Sequence, residues 1–474
     1  MQTISQPTTQ KAWANSLKPA TEFPPTKLPV LSGQIPTGLR GTLYRNGPAR
    51  LERDGVKMGH WFDGDGAVLA VHFNDTGATG VYRYVQTHGY QQEAAANRLL
   101  HSTYGMTAPG PFWKRWFKTM KNPANISVLA LPDRVLALWE GNNPYALDPE
   151  TLQTKGMDDL GGLHHGLPYS AHPKCDIKTG EIFNFGISPG PNATLHLYKS
   201  DRTGKIRQKA SIKLKGSPVV HDFALAGQYL VFFIAPVRLN LLPMLLGLSS
   251  YSDALEWQPN LGTEILVFDR ETLSVVGRGE TEPWYQWHFG NSYVDASGAL
   301  IIDVVRYADF QTNQYLKEVV TGQTHTHAHS TLWQVQLKPQ GKVTSIQQLL
   351  NQHCEFPIVP PQQVQQISPT YLLMERPGID ISQEYFGAIA KFDPQTDTLT
   401  TANLGENRYP IEPIYAPNAL NSHQGWVVTI VYDGNSHTSE VWIFDSDRLD
   451  EQPVCRLGLP SVVPLGFHGT WKPA

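Results

Sequence analysis

Cysteine is nearly absent from this 474-residue chain: Cys175, Cys354 and Cys455 are scattered, with no CxxC pair. That excludes a disulfide framework or a thiolate zinc site and fits a reducing compartment. Charge is scarce too, with 17% Asp, Glu, Lys and Arg and a net charge of −4. The one local basic cluster is "FWKRWFKTMK", so no basic face for nucleic acid is expected. No apolar run reaches the roughly 18 residues of a spanning helix. The nearest, "LNLLPMLLGL" at 239–248, is short and interrupted by a proline. The opening "MQTISQPTTQKAWANS" lacks the charged-then-apolar order of a secretory leader, so a cytoplasmic location is expected. Helical periodicity is confined to 111–121 and 239–248.

What the chain does have is turns. Its 40 glycines and 36 prolines make up roughly 16% of it, against roughly 12% in typical soluble proteins. They punctuate short β-rich runs such as "YLVFFIAPV" and "GWVVTIVYDG", which predicts an all-β chain with a few helical insertions. One pattern recurs: a strand-like run, then a polar turn with Asp followed shortly by Thr or Gly, as in "YALDPETLQT", "ILVFDRETLSVV" and "IAKFDPQTDTLT". Asp bonds its own downstream backbone and Gly tolerates positive φ, so each unit reads as a hairpin. With Asp75, Asp148, Asp201, Asp269, Lys338, Asp393 and Asp445 as markers, the intervals are 73, 53, 68, 69, 55 and 52 residues. Seven hairpins at blade spacing predict a seven-bladed β-propeller forming a single domain over 1–474, with unequal loops on one face. A pair of β-sandwiches is the alternative.

A site on a propeller axis draws side chains from the same strand of different blades, so its residues share a phase. His172, His221, His288 and His468 lie 24, 20, 19 and 23 residues beyond a marker, and none of the other histidines falls in that window. Their contexts, "YSAHPK", "PVVHDFAL", "YQWHFGN" and "LGFHGTW", surround a single polar ring with apolar residues. A buried imidazole must be hydrogen-bonded or ligated. Four satisfied core histidines are one reading and a metal cluster is the other; imidazole suits Fe, Zn, Cu and Ni. Metal-bound histidines give their other ring N–H to a carboxylate. Glu140 in "LALWEGN", Glu355 in "HCEFPIV" and Glu412 in "RYPIEPIYAP" sit in unusually apolar settings and are the candidates for that role.

These residues, with "GLRGTLYRNGPA" (38–49), "HWFDGDGAV" (60–68), "KNPANISV" (121–128), "LALWEGNNPYALDPETL" (136–152) and "VYDGNSHTSEVWIFD" (431–445), cover nearly the whole chain. In them the chain resembles the carotenoid cleavage oxygenases, most of all the apocarotenoid-cleaving members from cyanobacteria. The resemblance implies a propeller capped by a dome of loops and short helices, with Fe(II) on the axis held by His172, His221, His288 and His468. It implies that Glu140, Glu355 and Glu412 orient His221, His288 and His468 respectively. The implied reaction is O2-dependent cleavage of a conjugated C=C bond into two aldehydes, for example of β-apocarotenals at the 15,15′ bond to give retinal.

An apolar tunnel would place the double bond. Phe62, Trp139, Trp287 and Phe356 adjoin the site motifs and are expected in its wall. Ile126 stands where the family's cyanobacterial members often carry a hydroxyl residue, near one coordination position. The resemblance also implies peripheral membrane association. Leu239, Leu241, Leu242, Met244, Leu245 and Leu246 would form the docking patch within a 232–258 insertion, "PGPFWKRWFKTM" (109–120) would lie at headgroup level, and residues 1–30 would be an N-terminal extension.

Three motifs are set aside. "THTHAHS", with His325, His327 and His329, is out of phase and loop-like. "GISPG" (186–190) mimics a nucleophile elbow, but Pro189 lacks the N–H that the oxyanion hole needs. "NAT" (192–194) fits a glycosylation acceptor without a secretory leader. Two rival functions stay open: a phenolic-alkene (stilbene) oxygenase of the same family, with Tyr104 and Lys121 ionising the substrate hydroxyl, and a non-catalytic propeller that binds a lipid or a protein.

Overall fold

A computed structural model describes residues 11–116, 119–421 and 423–474. Seven antiparallel sheets of four or more strands succeed one another along the chain, so the fold is a seven-bladed β-propeller. The second blade is typical, with strands Ser127–Ala130, Val135–Leu138, Tyr145–Leu147 and Thr154–Met157 paired in chain order. First strands of neighbouring blades lie side by side and are mostly buried, whereas fourth strands such as Ile206–Lys213 alternate between buried and exposed residues. The first strands therefore line the axis.

The core lies between blades rather than at one centre. Phe183 and Phe185 of the third blade pack with Phe223 and Phe232 of the fourth, and the Phe185 and Phe232 rings meet edge-on at 5.3 Å. Middle strands are thus covered on both faces, which is why runs such as "YLVFFI" are apolar throughout instead of alternating. Every marker turn joins the third and fourth strands of its blade. The Asp148 carboxylate accepts the N–H groups of Glu150 and Thr151, and Asp269 does the same for Glu271 and Thr272. The side chain closes the turn that the backbone cannot close alone.

The ring closes at a seam. The first blade takes its innermost strand, Gly469–Pro473, from the C-terminus, pairs it with Gly41–Arg50, and continues through Asp65–Asn74 and Gly77–Tyr84. The backbones touch here: a Cβ on Gly47 would lie 2.5 Å from the Cα of Gly466. The N-terminal stretch expected as an extension joins the fold on the outer side of the same seam. Phe23–Lys27 pairs with the fourth strand of the first blade, and Val30–Gly33 with the last strand of the seventh. Trp13, in the 3-10 helix Ala12–Leu17, is buried.

Helices are few. α1 (His88–Ala96), α2 (Leu241–Leu245) and α3 (Gln311–Val319) all occupy connections, and none is long enough to cross a membrane among the described residues. The helix expected over 111–121 is absent as such: only the turn Phe112–Lys114 is helical, Pro111 precedes it, and Phe117 and Lys118 lie outside the described residues, as do residues 1–10. The 239–248 stretch yields only the five residues of α2, carried on the ribbon Val237–Leu239 and Leu255–Trp257.

A chain ending at Leu465 loses the inner strand of the first blade and the Phe467 carbonyl to which buried Arg45 donates. Its thermal unfolding midpoint is expected to fall well below that of the full chain. An unchanged midpoint would show that the ring does not depend on this strand.

Candidate metal centre

His172 and His221 stand just before the first strands of the third and fourth blades, His288 lies within that of the fifth, and His468 just before that of the first. The Ser170 hydroxyl accepts the His172 N–H at 3.1 Å, and the Ile126 carbonyl accepts that of His468 at 3.1 Å. Spacing from the outer hairpins therefore brings four side chains to one end of the axis. Their nearest ring nitrogens all lie within 4.8 Å of one another, and all four residues are buried. The ring of His172 lies 4.3 Å from that of His221 and 4.7 Å from that of His468.

The outer nitrogens of three rings are taken. His288 Nδ1 meets Glu355 Oε2 at 2.5 Å, His468 Nδ1 meets Glu412 Oε1 at 2.8 Å, and His221 Nδ1 pairs with Glu140. A neutral imidazole that donates Nδ1–H to a carboxylate has its lone pair on Nε2. Those lone pairs face inward. His288 Nε2 is buried without a partner among the described residues, and His172 Nε2 lies 2.9 Å from His221 Nε2. Burial and the neighbouring rings hold the pKa of His172 well below the usual histidine value, and burial does the same for His468, so both rings are neutral at pH 7. Nitrogens around a cation bound at ~2.1 Å lie roughly 3–4 Å apart, so the cluster fits a metal ion after a small contraction.

Glu355 lies near the start of the sixth blade's inner strand and Glu412 just before that of the seventh, 17 and 19 residues beyond Lys338 and Asp393. They occupy nearly the same phase as the histidines. Glu355 also accepts the Phe356 N–H at 2.7 Å and the Tyr307 hydroxyl at 2.9 Å. Burial raises its pKa, but His288 and these hydrogen bonds bring it below the ordinary glutamate value. Phe356 has φ 55, a left-handed conformation at a register shift in the strand. That turn aims Glu355 and Phe356 at the site, the kind of local strain seen at functional positions.

Glu412 is held from three sides: by His468, by the Gly469 N–H at 2.8 Å and by the Arg45 guanidinium at 3.2 Å. Arg45 is itself buried and donates to the carbonyls of Glu412 (2.7 Å) and Phe467 (2.9 Å). Burial lowers its pKa to about 10, so it stays charged. Burial pushes Glu412 up to about 7, with Arg45 opposing the rise. Sequence reasoning passed over Arg45 in "YRNGP" because the residues it joins are more than 360 positions away.

Two cavities lie beside the cluster and share Phe62, Ile126 and Trp287 in their walls. The smaller, about 600 Å³ including its open mouth, is lined by His221, His288 and His468; the larger, about 1970 Å³ on the same basis, extends past Glu140. Phe62, Ile126 and Trp287 line both, Phe356 the smaller and Trp139 the larger, so all five residues expected in a tunnel wall face one of them. The large cavity reaches Met244, Leu245 and Gly247 beside α2. There Trp116 Nε1 donates to the Leu246 carbonyl and Arg115 to that of Gly247, so two stretches 130 residues apart form one surface. Leu242 (68% exposed), Leu248 (64%) and Trp113 (58%) protrude from it. Leu241 and Met244 are half-buried, and Leu245 and Leu246 are exposed. Leu239 is a correction: it is buried in the ribbon strand and takes no part in the exposed surface.

Lys121 is a second correction. Its ammonium is buried between Asp65 and Glu93 (2.7 Å to the latter), and it lines neither cavity. Tyr104 does line the larger cavity, with its hydroxyl on Asn313 at 2.9 Å. The two residues therefore do not act together on a substrate hydroxyl. His325, His327 and His329 are exposed in a loop, away from the cluster.

Known proteins carry the same architecture. The family model described as retinal pigment epithelial membrane protein (RPE65) matches residues 17–473. The chain belongs to the RPE65 family of carotenoid oxygenases. Its similarity to the apocarotenoid-15,15′-oxygenase of Synechocystis sp. is 31% identity over 462 residues, 93% of this chain and 92% of that one. To resveratrol cleavage oxygenase 1 of Aspergillus fumigatus it is 26% identical over 477 residues, 93% and 91% of the two chains. A solved structure of the cobalt-substituted Synechocystis enzyme superimposes with a TM-score of 0.87 at 29% identity, covering 98% of each chain. Oxygenases are thus the named relatives, which answers the non-catalytic reading.

Replacing Glu355 or Glu412 by Gln is expected to weaken metal binding about 10–100-fold. Glu140→Gln is expected to cost less, because Glu140 is a third exposed and water can take its place. Anaerobic Fe(II) titration of the three variants checks the order.

Proposed function

We propose that this protein is an Fe(II)-dependent oxygenase that cleaves one conjugated C=C bond of an apocarotenoid, giving two aldehydes. The observation that supports it most is the buried four-histidine cluster, three of whose rings line the smaller, apolar cavity. His172, His221, His288 and His468 would hold the iron, and Glu140, Glu355 and Glu412 would orient three of them. Bound there, Fe(II) would supply the activation of O2. Both oxygen atoms end in the two carbonyl products, so the balance needs no external reductant.

The chain's own residues do the rest. Four neutral imidazoles leave the full 2+ charge on the ion, in contrast to centres with a carboxylate ligand. Buried Glu355 and Glu412, each fixed by three donors, keep the rings from turning when substrate arrives. Trp287 packs edge-on against His221 at 4.8 Å, and Phe356 lies 5.1 Å from both His288 and His468. Such rings exclude water and hold a flat polyene by contact, so that its position along the cavity selects the bond. Ile126 adds an aliphatic wall between the two cavities.

The exposed Leu, Trp and Phe side chains at the mouth of the large cavity suit docking onto a membrane leaflet, where such substrates partition. Peripheral membrane binding on the cytoplasmic side follows from this reading.

Aerobic incubation of the iron-loaded protein with a panel of β-apocarotenals and with resveratrol, products identified by mass, tests the assignment. Retinal-type aldehydes from the apocarotenals are expected. Cleavage of resveratrol alone would overturn the substrate class. Leu242→Asp combined with Leu248→Asp is expected to lower liposome co-sedimentation at least several-fold while leaving metal binding unchanged.

A further inference from the structure

We propose that the smaller cavity is a subsite for the oxygen-bearing end of the substrate, in which Tyr385 and His353 donate hydrogen bonds to a carbonyl oxygen. The inference rests on the cleavage reading above and adds which end of the substrate lies beyond the metal.

Tyr385, Phe386 and His353 line this cavity together with Trp61. Their rings form a contiguous row: Trp61 and Tyr385 at 5.8 Å, Tyr385 and Phe386 at 5.4 Å, Phe386 stacked on His353 at 4.8 Å. Polar atoms on this row lack acceptors. The Tyr385 hydroxyl and the Trp61 indole N–H are buried without a partner among the described residues. A buried donor left unmade costs its desolvation, so such atoms mark a place that a ligand completes. His353 adds another donor. Its Nδ1 accepts the Ser330 N–H at 3.0 Å, and burial lowers its pKa to about 4, so at neutral pH its one ring proton sits on Nε2. No partner to that nitrogen is present among the described residues.

Two acceptors along the same wall are already engaged. Glu355 takes the protons of His288, Tyr307 and Phe356, and Thr312 Oγ1 takes that of Trp287. No lysine or arginine lines the cavity among the described residues. The unmade Tyr385 and His353 donors fit an acceptor such as the oxygen of an aldehyde or ketone, whose two lone pairs can take both. A hydrocarbon end leaves every donor unmade.

The test uses the iron-loaded full chain under anaerobic conditions, with binding read by tryptophan quenching. The probes are a β-apocarotenal, its alcohol and the methyl-ended hydrocarbon of equal length. Wild type is expected to bind the aldehyde about tenfold more tightly than the hydrocarbon, one hydrogen bond's worth. Tyr385→Phe, which is nearly isosteric, and His353→Phe are each expected to bring that ratio toward one with the hydrocarbon affinity unchanged. A wild type with no preference for the aldehyde, or both variants retaining it, would overturn the subsite. Aerobic turnover by wild type judges the cleavage reading separately: binding preference without cleavage would sink that reading and leave the subsite standing.

Discussion

The structure turns on the Glu412 carboxylate. Its three donors come from opposite ends of the chain: Arg45 from the second strand of the first blade, His468 and Gly469 from the start of the closing strand. Removing one partner of a buried ion pair leaves the other charge uncompensated, which typically costs about 3–5 kcal/mol. The same contacts that close the ring therefore fix the fourth imidazole. Folding and completion of the metal site share one set of hydrogen bonds.

From that seam the rest of the site follows by repetition. Beginning at the inner strand of the first blade, the axial positions run His468, Ile126, His172, His221, His288, Glu355 and Glu412. Four offer nitrogen, two offer carboxylate to those nitrogens, and one is aliphatic. Glu140 reaches the cluster differently, from the loop after Val135–Leu138, and it is correspondingly the most exposed of the three carboxylates. A propeller is well suited to this arrangement because each blade's inner strand reaches the axis and can contribute one side chain there.

Much of this was legible in the chain because aspartate leaves a local signature. Asp148 and Asp269 close their own turns, so the seven outer hairpins could be counted and the histidines phased against them. Glu355 and Glu412 stood out as acids among apolar neighbours. What stayed hidden depends on long-range geometry. Arg45 reads as one more basic residue until the C-terminus returns to it, and Lys121 reads as available until Asp65 and Glu93 enclose it. Val30–Gly33 is short and exposed, so only its pairing to the seventh blade identifies it as a strand. Leu239 looked like its neighbours in an apolar run, but the ribbon turns it inward. α1 was missed because its apolar face is weak, with Glu93 its only buried residue.

The central claim is that four imidazoles, three of them held from behind by carboxylates, bind a single metal ion. X-ray absorption at the iron edge on anaerobically reconstituted protein tests it most directly. One iron per chain with a first shell of four imidazole nitrogens, falling to three in His468→Ala, is the result this account predicts. A shell dominated by carboxylate oxygen, or one unchanged in His468→Ala, would contradict it.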